Sequence, residues 1–179
     1  MSQILLSEKK YNFRIGHNIK VGKEFYKILG IEWLQHYELV SSVSAGSSAD
    51  QSFESNLKPS EGYMYWIEFI GIDGALGFQL KYPAVPRWTV HGEKRYIYRH
   101  RASFMNPIYH PFLVYNPQYP RFTFYNPEAS SKSAVIYFEG ERFMVQKLRQ
   151  EDILAIERRE GKFVYTDLTS YTDISIGEG

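Results

Sequence analysis

The chain has 179 residues, 21 Lys plus Arg against 20 Asp plus Glu, no Cys, and a surplus of rings (15 Tyr, 12 Phe, 3 Trp). The length suits one hydrophobic core of ordinary size, and the missing thiols exclude a disulfide scaffold, a thiolate zinc site and a cysteine nucleophile. A formal net charge of +1 argues against a surface that traps nucleic acid by overall charge, so partners must be sought locally. Apolar runs are too short to cross a bilayer. The start MSQILLSEKK lacks the apolar stretch and cleavage site of a signal peptide, so a soluble protein made in the cytoplasm is expected.

Tyr and Phe pack well on a pleated, half-buried surface, and their abundance predicts a mostly β chain. Residues 1–23 are mixed and polar and read as an N-terminal arm or a short first strand. Between Lys23 and Val40, helical spacing (Phe25, Leu29, Trp33, Tyr37, Val40) competes with a strand face (Phe25, Lys27, Leu29, Ile31, Trp33). A strand pair with a kink at Gly30 is the reading adopted. Ser41 to Ser60, rich in small residues, suits short edge strands and turns. Tyr63 to Ile72 is long, aromatic and β-branched and predicts a central strand. Asp73-Gly74 then predicts a hairpin into Leu76 to Tyr82.

Seven of the eight prolines fall between Pro83 and Pro127, which excludes a set of long central strands there. Within this region Asn106-Pro107 to Tyr115 is followed by Asn116-Pro117 to Tyr125, a ten-residue repeat. Each unit reads as one turn plus one strand of a local meander. Glu139-Gly140-Glu141 predicts a tight hairpin between strands at Ser133 to Phe138 and Arg142 to Leu148. Arg149 to Glu160 predicts a short helix ending before Gly161, and Lys162 to Leu168 a final strand. The organisation expected is an arm over 1–23, a β-sandwich domain over 24–168 with at most one or two short helices, and a C-terminal tail over 169–179.

Two features stand out as contact sites. Arg87, Lys94, Arg95, Arg99 and Arg101 face only Glu93, with Trp88, Tyr96 and Tyr98 interleaved. Such a strand could neutralise phosphates while its rings stack on bases. A solvated face, or a salt-bridged contact with an acidic partner, is the preferred reading, since charge runs of this size are common on ordinary surfaces. Tyr109, Tyr115, Tyr119 and Tyr125 of the repeat could form a ring platform for a carbohydrate or a neighbouring subunit, or a cross-strand ladder that packs the sheet. No catalytic residue is singled out. The histidines His17, His36, His91, His100 and His110 lack metal-motif spacing, and no nucleophile elbow or phosphate loop occurs, so neither a metal nor a cofactor is expected.

Over Tyr37 to Leu148, from Val43-Ser44-Ala45-Gly46 through Pro59-Ser60-Glu61-Gly62 and the aromatic strand around Trp66 to the Pro-rich connections and the closing hairpin, the chain resembles single jelly-roll and related β-sandwich subunits of virus and phage particles. The resemblance implies an antiparallel sandwich and a non-enzymatic structural subunit of a virion, made in the host cytoplasm. Its partners would be copies of itself and other particle subunits, with the genome as a possible contact of the basic strand. The alternative is a carbohydrate- or ligand-binding β-module that uses the tyrosine-rich repeat.

Overall fold

The computed structural model describes residues 12–74, 76–81, 106–116 and 118–169. The described chain is mostly β. Its strands are β1 (Asn18–Val21), β2 (Glu24–Val43), β3 (Ser48–Ser52), β4 (Tyr63–Gly74), β5 (Gly77–Lys81), β6 (Asn106–Tyr115), β7 (Arg121–Tyr125), β8 (Lys132–Leu148) and β9 (Thr166–Asp167). Two helices interrupt them, α1 (Glu54–Leu57) and α2 (Gln150–Glu160). A six-stranded sheet runs in the order β6-β4-β8-β2-β1-β9, and a three-stranded sheet in the order β3-β7-β5. All pairings are antiparallel except β1 with β9.

One hydrophobic cluster joins the two sheets. It takes Val40 and Val43 from β2, Ile67, Ile70 and Ile72 from β4, Phe112 and Val114 from β6, and Ala134, Ile136 and Phe138 from β8. The small sheet adds Phe78, Phe122 and Phe124. Phe122 bridges the layers, its ring centroid 5.7 Å from that of Phe138 and 5.8 Å from those of Phe53, Phe78 and Phe124. A second cluster, with Ile28, Met64, Trp66, Leu113, Phe143 and Val145, lies on the opposite face of the large sheet.

Strands reach both clusters by changing which parity they bury. The β4 register with β8 passes from Ile67↔Gly140 to Phe69↔Glu139, leaving Glu68 as an extra residue. Before this bulge Met64 and Trp66 serve the second cluster and Ile67 the first; after it the even residues Ile70 and Ile72 serve the first. A bulge adds one residue to one strand and so flips every later side chain. In β2 a similar shift between Ile28 and Gly30 moves service from Tyr26 and Ile28 to Leu34 and Val40.

Several sequence expectations are corrected. Residues 24–43 form one strand, and the disturbance expected at Gly30 is the bulge within it. Asp73-Gly74 does not close a hairpin, because β4 and β5 belong to different sheets; Ile72, Leu76 and Phe78 all enter the shared core as the chain crosses between layers. Glu139-Gly140-Glu141 is no turn either, for β8 runs unbroken through it. The ten-residue repeat is no meander: β6 pairs with β4, and β7 pairs with β3 and β5. Asn116 of the repeat, and Asn126 directly after it, still work on the backbone. Asn116 Nδ2 donates to the Pro59 carbonyl at 3.0 Å, and the buried Asn126 Nδ2 donates to those of Val43 and Ser130 at 2.8 and 2.9 Å. The final strand shrinks to Thr166–Asp167.

Helix α2 forms where the sequence predicts it. Glu151 and Asp152 sit in its first turn and Arg158 and Arg159 in its last, matching the helix dipole. The Asp152 carboxylate accepts the Arg149 backbone N–H at 2.8 Å, a bond that holds its pKa below the usual carboxylate value. Gly161 stops the helix with φ +83°, donating its N–H to the Glu157 carbonyl at 2.7 Å. Ile153 and Ile156 bury against Leu148, Phe25 and Phe163. In the stretch read as an arm or short first strand, residues 12–23 supply β1 and Phe13, whose ring meets Trp66 and Phe143 edge-on at 5.2 and 4.9 Å. Residues 1–11 and 170–179 lie outside the described residues.

Candidate functional site

The large sheet has one face against the small sheet and one face outward. At its β1 end the outer face is covered by the second cluster, where Phe13 lies on Trp66 and Phe143. Toward the other end the odd-numbered residues of β2 and β8 point outward, in cross-strand rows set by the register. Trp33 stands beside Glu141, which stands beside Trp66; Gln35, Glu139 and Phe69 form the next row; Tyr37, Tyr137 and Gly71 the next; and Leu39 lies beside Val135. Alternate residues along a strand are about 6.7 Å apart, so Trp33, Tyr37 and Leu39 line one strip. Their relative exposures are 68, 64 and 72%. The Tyr37 and Tyr137 rings meet at 6.2 Å, tilted by 44°. Large apolar side chains this open, gathered on one strip with Gln35 between Trp33 and Tyr37, are a mark of a contact surface.

Carboxylates sit among the rings. The Oε2 of Glu141 is buried without a hydrogen-bond partner. Burial first, and Glu68 second, raise the pKa of Glu141 above its ordinary 4.5. An acid that holds its proton more tightly in the folded than in the unfolded chain contributes stability below pH 4.5 that is lost as pH rises through the folded value. Glu141→Gln is therefore expected to raise the melting temperature at pH 7 by on the order of 2 °C, with the gain vanishing near pH 4. Thermal melts at both pH values check this. On the inward side, Arg142 pairs with Glu32 and lies over the Tyr63 ring at 5.0 Å.

The same stretch of β2 is also a sheet edge. β8 flanks it on one side along its length, whereas β1 covers the other side only at Glu24 to Lys27. Just beyond, Ile28 donates its N–H to the His17 carbonyl and accepts from the Gly16 N–H. At the far end the Gln51 side chain closes on Ser41, accepting its N–H at 3.0 Å and donating to its carbonyl at 3.2 Å. Between these two closures alternate residues turn their backbone groups away from β8. From the direction of Ser41 these are Ile31, Trp33, Gln35, Tyr37 and Leu39. Among the described residues nothing pairs with them on that side.

The residues singled out in the sequence lie elsewhere. Arg87, Lys94, Arg95, Arg99 and Arg101 fall outside the described residues. Tyr109 lies in β6, where only its backbone is described. Tyr115 ends β6 and packs partly buried against the second cluster. Tyr119 lies in the link to β7, with the Arg121 guanidinium 5.3 Å and the Lys58 ammonium 6.0 Å from its ring centroid. Tyr125 ends β7 in the small sheet. Tyr115 and Tyr125 thus belong to different sheets.

The strip on β2 and β8 went unnoticed in the sequence. A signal for it existed: Trp33, Tyr37 and Leu39 share one parity while Leu34 and Val40 share the other, so this strand is apolar on both faces. Among the described residues no cluster of three or more His, Asp or Glu could hold a metal ion, and no helix is long and apolar enough to cross a membrane. No protein-family model matches the chain, and comparison with curated proteins and with solved structures yields no match.

Proposed function

We propose that this chain is a non-enzymatic structural subunit that assembles with copies of itself, and that β2 with its outer strip is the surface it uses. The observation that carries the proposal is the row of open Trp33, Tyr37 and Leu39 on a well-packed sheet. Soluble chains cover or charge such strips unless a partner does so. A protein partner is favoured over a sugar. Stacking on flat sugar rings wants coplanar aromatics, while Tyr37 and Tyr137 are tilted by 44° and the strip ends in a leucine. Interfaces between subunits are rich in just such aromatic side chains as Trp33 and Tyr37.

The finer fold description, an antiparallel sandwich of jelly-roll type, belongs to this proposal; the contact of Phe122 with Phe138 across the two sheets supports it. The setting we propose is a shell or tail component of a virion, with the basic stretch 87–101 meeting the genome or an acidic neighbouring surface. Light scattering of the wild-type chain and of a Trp33→Ser/Leu39→Ser double variant tests the assembly. The wild type is expected to associate. The double variant should associate at least about 100-fold more weakly, as the loss of two exposed apolar anchors of the strip implies, with an unchanged circular dichroism spectrum. A wild-type chain that stays monomeric near millimolar concentration would overturn the proposal.

A further inference from the structure

Self-assembly, on which this inference rests, leaves open how two copies meet, and the edge of β2 narrows the answer. From Leu29 to Ser41 the strand reads LGIEWLQHYELVS, with no lysine and no proline. Natural proteins protect long free edges with those residues, with bulges or with a covering element. Here the bulge at Leu29 and the Gln51 clamp at Ser41 bound the edge; between them the outer face carries Ile31, Trp33, Tyr37 and Leu39, and among the described residues no strand pairs with this side. It presents five N–H donors and five carbonyl acceptors.

We propose that Ile31 to Leu39 of β2 is a strand-addition site for the same strand of a second copy, antiparallel, with Gln35 on the two-fold axis. A two-fold contact pairs each residue with one at a mirrored position, so the segment must complement itself. Centred on Gln35 it does. On the outer face Trp33 meets the copy's Tyr37 twice, and Ile31 meets its Leu39 twice, giving aromatic and aliphatic cross-strand pairs of the kind that stabilise sheets. On the inner face Leu34 meets His36. Glu32 would face Glu38 across the axis, yet within each chain Glu32 is held by Arg142, and Glu38 by His36 at 2.6 Å and by Asn56. Backbone bonding supplies affinity and the alternating side chains supply register, the general mode of strand addition. The result is one sheet continuous through both copies.

The absence of cysteine makes the register directly readable. Paired residues in antiparallel strands stand about 5.5 Å apart, within disulfide reach. In this register Gln35→Cys should form a covalent dimer under mild oxidation. Leu39→Cys, separated from its copy by roughly 26 Å, should cross-link at least about tenfold more slowly. Gln35→Pro, which removes a donor facing away from β8, should melt near the wild-type temperature and run as a monomer in sedimentation. Equal cross-linking by the two cysteine variants, or a folded Gln35→Pro chain that still dimerises, overturns the register. An associating wild type whose Gln35→Cys variant fails to cross-link sinks this inference and leaves self-assembly standing. A wild-type chain that is monomeric throughout sinks both.

Discussion

Gly140→Ala is expected to cost about 5 kcal/mol, among the largest effects of a single substitution, and to lower the melting temperature by roughly 10–20 °C. The cause is the bulge in β4. A Cβ built on Gly140 would collide with the Trp66 carbonyl oxygen and stand 2.9 Å from its carbon and 3.1 Å from the Glu68 nitrogen. All three are backbone atoms of a strand paired on both sides, between β6 and β8, so none can swing aside as a side-chain tip would. The methyl must push β4 off β8, and with it the step that lets β4 serve both clusters. Gly30 is the control, since it too lies in a strand beside a bulge. A Cβ there meets only Met144 Cε at 3.4 Å and Met144 Cβ at 3.6 Å, and Gly30→Ala should stay within about 1 kcal/mol of the wild type. Thermal melts of the two variants check the contrast. Similar melting temperatures would mean that the bulge does not close on Gly140.

Phe122→Ala should cost about 4 kcal/mol, or roughly 8–16 °C in melting temperature for a chain of this size. Its ring is fully buried and touches the rings of Phe53, Phe78, Phe124 and Phe138. Phe138 belongs to the large sheet and the small sheet supplies Phe78 and Phe124, so the cavity would open at the seam between layers. In a double-mutant cycle Phe122→Ala and Phe138→Ala should couple, because either one alone removes the same bridge. Tyr137→Ala, one residue along but on the outer face, should cost far less. Strictly additive losses for Phe122 and Phe138 would show that the two sheets are held together elsewhere.

Much of the β architecture was legible because its causes are local. The aromatic, β-branched run at Tyr63 to Ile72 became β4, an interior strand, and the acids, bases and closing glycine around Ile153 and Ile156 became α2. Glycine misled twice in the same manner. Gly74 and Gly140 read as turn residues, yet Gly140 is there because another backbone approaches it, and β4 ends where the chain crosses to the other layer. Strand β2 hid its nature because both of its faces are apolar. Alternation disappears in such a strand, and Phe25, Leu29, Trp33, Tyr37 and Val40 then imitate a helical stripe.

The contact surface was less legible than the fold. Rings and charges can be found in a sequence, but openness depends on which neighbour a strand lacks. That is decided by β1 ending after four residues while β2 continues to Val43. The excess of aromatics suggested assembly; the topology moved its expected place from the tyrosine repeat to β2.

Hydrogen exchange of the intact chain at a dilute and a concentrated setting tests that placement most directly. At high concentration the amides of Ile31, Trp33, Gln35, Tyr37 and Leu39 should become protected, and on dilution they should exchange freely. Those of Glu32, Leu34, His36 and Glu38, bonded toward β8, should stay slow in both. Exchange along β2 that does not change with concentration, in a chain that nonetheless associates, would contradict the account.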